Sequence, residues 1–370
     1  MRQCDLLLVG GTVLTMDCDD RVLEDAGVAV TGGRIAAVGR TAALEEQYAS
    51  DNVIRARGQV IMPGLIDAYG HAGHGLIRGL FHPEHGWPAH DLYWHGTTPA
   101  WWSAEAALAA VERIRFGVTT GMSVIGATPP RLDSALFTGC VADGYALAGG
   151  RAVLGVGPPD PITSHLTEPW SGSFFEDGRW VTRRFSYQDT VANSIEAIGI
   201  WHGTADGRIR MALAPPYLFG RHVQHQRLKL RLPTANDAGR MRAHAEEMRD
   251  LADRHGVIIH THMFEGSIAF ALAHFGRAAT ERLLGADVVI AHANGLAIEE
   301  IELAGAAGCG IASVAQTHEN LWYGLAPLSA LRATGAKVAI ATDGAAPYAS
   351  LDLWRELART AWNHWRGSAD

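Results

Sequence analysis

Eight apolar runs alternate with helix-patterned segments from residue 65 almost to the end of the chain. That alternation narrows the choice of fold more than any other feature. The runs are Leu65–Tyr69, Val118–Val124, Ala152–Val156, Ile209–Ala214, Val257–His262, Val288–Ala291, Gly310–Val314 and Val338–Ala341. Each is nearly continuous in apolar residues, the pattern of a strand covered on both faces. Between them Ala104–Phe116, Arg131–Ala148, Tyr187–Ile200, Asn236–His255, Ala297–Ala307 and Leu328–Thr334 read as helices. Eight β/α repeats over about 300 residues predict an α/β fold of the (β/α)8, TIM-barrel type. In that fold the chemistry lies at the C-terminal ends of the strands.

Residues 1–62 read differently. Leu6–Val9, Thr12–Thr15, Val28–Val30, Ile35–Val38 and Val53–Ile54 are short strand candidates, with Gly10-Gly11 and Gly32-Gly33 as turns between them. The expected organisation is a small N-terminal β-module over 1–62 and a barrel over 63–370. Insertions at Phe81–Trp102 and Pro158–Ser186 follow strands one and three, where loops over an active site belong.

The net charge is −8, from 31 basic and 39 acidic residues without long runs. A mildly acidic surface argues against a nucleic-acid partner. Cys4, Cys18, Cys140 and Cys309 are scattered and form no CxxC, as expected of small core thiols in a reducing cytoplasm. No stretch approaches the roughly 20 apolar residues of a membrane span. The expected partner is a small-molecule substrate, in a cytoplasmic protein without membrane association. Assembly into a homo-oligomer stays open.

Four of the eight strands end in groups able to bind a metal or move a proton. Strand one reaches His71. Strand five ends in His260-Thr261-His262, with Glu265 three residues on. Strand six ends at His292 and strand eight at Asp343. Any one of these alone reads as an ordinary core or surface group. Strand ends far apart in sequence meet at a barrel mouth, however, and imidazoles with a carboxylate suit zinc, iron(II) or manganese.

The same segments resemble the metal-dependent amidohydrolase superfamily. Pro63-Gly64-Leu65-Ile66-Asp67 resembles its first barrel strand, Val288-Val289-Ile290-Ala291-His292-Ala293 its sixth-strand metal motif, and Thr342-Asp343-Gly344 its eighth-strand motif. His262-Met263-Phe264-Glu265 is similar to the His-x-x-Glu of the branch containing the cytosine, guanine and S-adenosylhomocysteine deaminases and the triazine hydrolases. The likeness runs from residue 5 to about 364. It implies one divalent cation, zinc first with iron or manganese as alternatives, held by His71, His262 and Asp343. His292 either joins these ligands or hydrogen-bonds the attacking water or substrate. Asp343 doubles as proton acceptor, and Glu265 protonates the leaving nitrogen. The other reading of Glu265 is a charge facing a helix N-terminus. The fourth strand, Arg210–Pro215, has no lysine for a second metal. No organic cofactor is expected. The resemblance also implies a composite β-sandwich, whose C-terminal part is missing from this sequence.

One residue departs from the pattern. Members usually carry His-x-His where this chain has Tyr69-Gly70-His71. A neutral phenol, titrating near ~10 in water, is a poor ligand. Three explanations stand: Tyr69 binds substrate while His71, His262, His292 and Asp343 hold the metal; His74 supplies the missing imidazole or contacts substrate; or the site is weakened. Loss of the first histidine followed by Ala72-Gly73-His74 resembles the phenylurea and carbamate hydrolases. The expected reaction is therefore attack of metal-activated water on a non-peptide carbon–nitrogen bond of an amide, urea or carbamate. Deamination of a purine, pyrimidine or related heterocycle is the alternative. A non-catalytic ligand-binding barrel with a degenerate metal site is the alternative of another class. His82, His85, Trp87, His90, Trp94, His95, Trp101 and Trp102 after strand one, with Trp170, Trp180 and Trp322, read either as an aromatic rim for a flat substrate or as packing.

Overall fold

The computed structural model describes the chain except residues 73, 81–96, 126–133, 160–161, 163–169, 221, 223–231, 322–323, 346–349 and 368–370. It divides into two compact units, Met1–Leu65 and Ile66–Asp370.

In the first unit Leu6–Leu14, Val22–Thr31 and Arg34–Arg40 form an antiparallel sheet, and Val53–Arg55 and Val60–Ile61 pair in parallel with Leu6–Leu14. Leu6–Val9 and Thr12–Thr15 are not two strands. They form one, with register shifts either side of Gly11. Gly10-Gly11 is a bulge rather than a turn: Gly10 takes φ +79, a conformation free only to glycine. Burial alternates residue by residue along this strand, which keeps Leu7, Val9 and Val13 inward.

The second unit is the barrel. Its strands are β1 (Leu65–Asp67, entering from the last residue of the first unit), β2 (Val118–Val124), β3 (Arg151–Val156), β4 (Ile209–Leu213), β5 (Ile258–Met263), β6 (Val288–His292), β7 (Gly310–Ser313) and β8 (Lys337–Ile340), neighbours in that order. The registers from β2 to β8 are all parallel. The ends of β1 and β8 meet through a parallel bridge between Gly70 and Asp343, where the Asp343 amide donates to the Tyr69 carbonyl at 3.0 Å. Asp67 fastens this seam: one carboxylate oxygen accepts from the Thr342 amide at 2.9 Å and the other from its hydroxyl at 2.6 Å. The buried Arg113 guanidinium donates to Asp67 at 2.9 Å, to Ser123 at 3.1 Å, to the Met122 carbonyl at 3.2 Å and to the Tyr145 hydroxyl. A Cβ on Gly70 would come within 2.4 Å of that guanidinium, so only glycine fits between Tyr69 and His71.

Three expectations need correction. The helix after β1 starts at Pro99, capped by Thr98, so Trp101 and Trp102 are helical rather than part of a loop. Trp102 is fully buried, its indole N–H donating to Thr97 at 3.1 Å, which is packing and not a rim. Cys18 is exposed, while Cys4, Cys140 and Cys309 are buried, and all four thiols are free. The insertion after β3 contains a hairpin, Trp170–Glu176 with Arg179–Phe185, and Trp180 on it is exposed. His82, His85, Trp87, His90, Trp94, His95 and Trp322 lie outside the described residues. No helix among the described residues is long and apolar enough to cross a membrane.

Candidate active site

Four of the strand ends singled out above converge. Tyr69, His71, His262, His292 and Asp343 meet where β1, β5, β6 and β8 finish. The Tyr69 hydroxyl lies 2.6 Å from His71 Nε2 and 2.6 Å from His262 Nε2. His71 Nε2 is 3.2 Å from Asp343 Oδ1. The His262 and His292 rings lie 5.2 Å apart. Tyr69 is fully buried and stacks on His260 at 5.0 Å. His74 is buried and stacks on His71 at 4.6 Å. A Cβ on Gly344 would fall 1.8 Å from His74 Nδ1, so the glycine after Asp343 makes room for that ring.

The protons of this cluster can be counted. His262 Nδ1 lies 2.9 Å from the Pro216 carbonyl, which can only accept. That ring therefore carries its proton on Nδ1 and offers the Nε2 lone pair to the cluster. Tyr69 then donates to His262, and its oxygen accepts from His71 Nε2–H, which also faces Asp343. Asp343 is ionised: burial works against its charge, but the hydrogen bond from His71 leads the effects that oppose it, and the carboxyl is held well below the usual range. Burial pushes His260 down to about 3.

The backbone here is strained. His292 has φ +73, Ala293 φ +55 and Asp343 φ +58, left-handed values that residues with a Cβ avoid. Such strain persists where the surroundings over-determine it and gathers at functional sites.

Glu265 is exposed, just past β5, and its side chain lies against Gly295. The helix that follows, Ser267–Phe275, is served by another carboxylate. Glu300 accepts from the amides of Gly266 at 3.2 Å, Ile268 at 2.9 Å and Ala269 at 3.0 Å. The helix-charge role considered for Glu265 thus falls to Glu300.

His318 did not emerge from the sequence. It sits in Ala315–Leu321, a helix after β7 not read from the pattern, and its Nε2 lies 3.2 Å from His292 Nδ1. The only hint was a polar run, Gln316-Thr317-His318, directly after a strand buried on both faces.

The donor set suits a divalent cation. Two imidazoles and a carboxylate are borderline-to-hard ligands, and His262 has its other nitrogen engaged by a carbonyl, as metal-binding histidines do. The 3.2 Å between His71 Nε2 and Asp343 Oδ1 is close to the roughly 3.3 Å between two ligands of a tetrahedral ion bound at ~2.0–2.1 Å. The Tyr69 hydroxyl, nearer than that to both imidazoles, is their hydrogen-bond partner. Among the described residues no three His, Cys, Asp or Glu side chains are already arranged as a cation cage. A cavity of about 530 Å³ lined by Cys140, Arg183, Glu196 and Trp201 lies against the helices Leu136–Ala148 and Tyr187–Trp201 and holds none of these groups.

Known proteins share this architecture. The chain is 29% identical to a 5-methylthioadenosine/S-adenosylhomocysteine deaminase of Syntrophobacter fumaroxidans, with 100% of this chain and 75% of that protein aligned. It is 26% identical to a 5'-deoxyadenosine deaminase of Methanosarcina barkeri, covering 97% and 74%. Among solved structures it resembles an adenosine deaminase from Xanthomonas campestris with bound zinc, with TM-score 0.74, 24% identity and 100% and 76% covered. It also resembles the atrazine chlorohydrolase of Arthrobacter aurescens complexed with zinc, with TM-score 0.70, 23% identity and 94% and 74% covered. The amidohydrolase family model matches residues 60–365. With that match spanning nearly all of the barrel, the chain belongs to the amidohydrolase family.

Proposed function

We propose that this strand-end cluster hydrolyses a non-peptide carbon–nitrogen bond, in an amide, urea or carbamate. The observation that carries the reading is the meeting of His71, His262 and Asp343 from β1, β5 and β8 around one hydroxyl, with His292 beside them. His71, with its ring proton moved to Nδ1, would hold one divalent cation together with His262 and Asp343, zinc first and iron or manganese as alternatives; zinc in two structural neighbours supports this. Such a cation makes water a nucleophile at neutral pH.

The chain's own groups do the rest. Asp343, held ionised, accepts a proton from the attacking water as the new carbon–oxygen bond forms. Glu265, exposed at the end of β5, returns a proton to the departing nitrogen as the carbon–nitrogen bond breaks. His292 hydrogen-bonds the attacked group. Tyr69 holds the His71 and His262 rings, and His74 backs His71 from its far face. Free thiols support the expected reducing cytoplasm.

Deamination of a heterocyclic amine is the second reading, favoured by the deaminase activities of the relatives named above. The zinc-loaded protein should be tested against ureas, carbamates, amides and amino-purines and amino-pyrimidines. Amine release from the first group is expected. Ammonia from the heterocycles with inert ureas would select deamination. No turnover of any of them by protein carrying stoichiometric zinc would leave a ligand-binding barrel.

A further inference from the structure

The His292 ring packs against Tyr69 and His262 of the cluster, and its Nδ1 meets His318. The Nδ1 to Nε2 distance is 3.2 Å, and both rings are buried. One proton lies between the two nitrogens, and its owner decides what His292 can do.

If His292 owns that proton, neutral His318 must carry its own on Nδ1. That atom is buried and has no partner among the described residues. A buried N–H would be orphaned. If His318 owns it, only an acceptor lone pair at Nδ1 goes unfilled, and His292 bears its proton on Nε2. Orphaned buried N–H groups are the rarer of the two. The His292 ring cannot escape the choice by turning away, since Phe264 stacks on it at 5.2 Å and Tyr69 meets it edge-on at 5.4 Å.

We propose that His318 is a positioning residue whose Nε2–H donates to His292 Nδ1 and fixes His292 as a hydrogen-bond donor at Nε2. In that tautomer His292 has no lone pair for a cation, so it serves the attacked group of the substrate and is not a metal ligand. The catalytic part of this statement rests on the function proposed above; the tautomer does not.

Three substitutions at His318 separate the possibilities. His318→Gln keeps an N–H donor, His318→Leu removes it, and His318→Glu replaces it with an acceptor. Two-bond proton–nitrogen spectra of histidine-labelled protein, with His292→Asn to assign the signals, read the tautomer without substrate. The wild type and His318→Gln are expected to show the proton on His292 Nε2, and His318→Glu to move it to Nδ1. On the substrate that the protein turns over, His318→Leu is expected to lower kcat about 10- to 100-fold with KM little moved, and His318→Gln to restore most of that loss. A wild-type proton on His292 Nδ1 would overturn the proposal. So would a His318→Leu enzyme with unchanged kcat. The expected tautomers in a protein inactive on every substrate would instead refute the hydrolase reading alone.

Discussion

Two buried polar clusters lie two residues apart along the chain, and they are built on opposite principles. At the seam, Asp67 and Arg113 form an ion pair whose remaining bonds go to Thr342, Ser123, Tyr145 and the Met122 carbonyl. None of their side-chain polar atoms lacks a partner. At the mouth, further along the same strands, Tyr69 lies two residues past Asp67 and Asp343 one past Thr342. There His260 Nε2 and His318 Nδ1 are buried without partners among the described residues, and three non-glycine residues hold left-handed backbones. A satisfied network closes the barrel. An under-satisfied and strained one keeps hydrogen-bonding capacity for something the chain does not itself contain.

Removing one seam partner should do the greatest damage. Asp67→Ala strands a buried guanidinium and is expected to cost about 3–5 kcal/mol of folding stability in urea melts. A loss below about 1 kcal/mol would mean the seam carries no such burden.

A smaller effect lies between the clusters. Glu356 accepts from the Gln316 amide at 3.1 Å. Its carboxyl is pushed up to about 7 by burial, with the charges of Asp343 and Asp67 adding to it. The folded value lies above the ordinary 4.5, so folding favours the neutral form. Stability from this group is full below pH 4.5 and is lost as pH rises through 7. Glu356→Gln should therefore gain on the wild type between pH 4.5 and 8, by about 3 kcal/mol at most. A constant difference across that range would show that the carboxyl titrates normally.

The smallest expected change tests the strain at the mouth. Ala293 sits at φ +55, and Ala293→Gly should relieve it by about 0.5–1 kcal/mol net of glycine's entropy. Destabilisation would mean the conformation is unstrained in its setting.

The barrel was legible because most of its strands are buried on both faces, which turns them into apolar runs. The strand-end residues His71, His262, His292 and Asp343 were legible for the same reason, since a polar group closing an apolar run stands out. His260 shares a face with His262 by the two-residue period of a strand, and that puts it beneath Tyr69. The helices Ser267–Phe275 and Arg277–Leu283 were missed, because each is short and set off by a glycine, Gly266 and Gly276. The hairpin within 170–185 and the bulge at Gly10-Gly11 were missed because a glycine marks a turn and a bulge alike. His318 lies on a seven-residue helix whose amphipathic period is too brief to read. Nothing local to Tyr69 tells that its hydroxyl reaches two imidazoles, one of them 193 residues away.

The decisive measurement is the zinc content of the purified protein alongside its carbon–nitrogen hydrolysis, for the wild type, His262→Ala and Asp343→Ala. One zinc per chain in the wild type is expected, with zinc and turnover falling together in both variants. Hydrolysis that continues undiminished in either variant, or a wild type that binds no zinc and hydrolyses nothing, would contradict the assignment of these strand ends as the reacting centre.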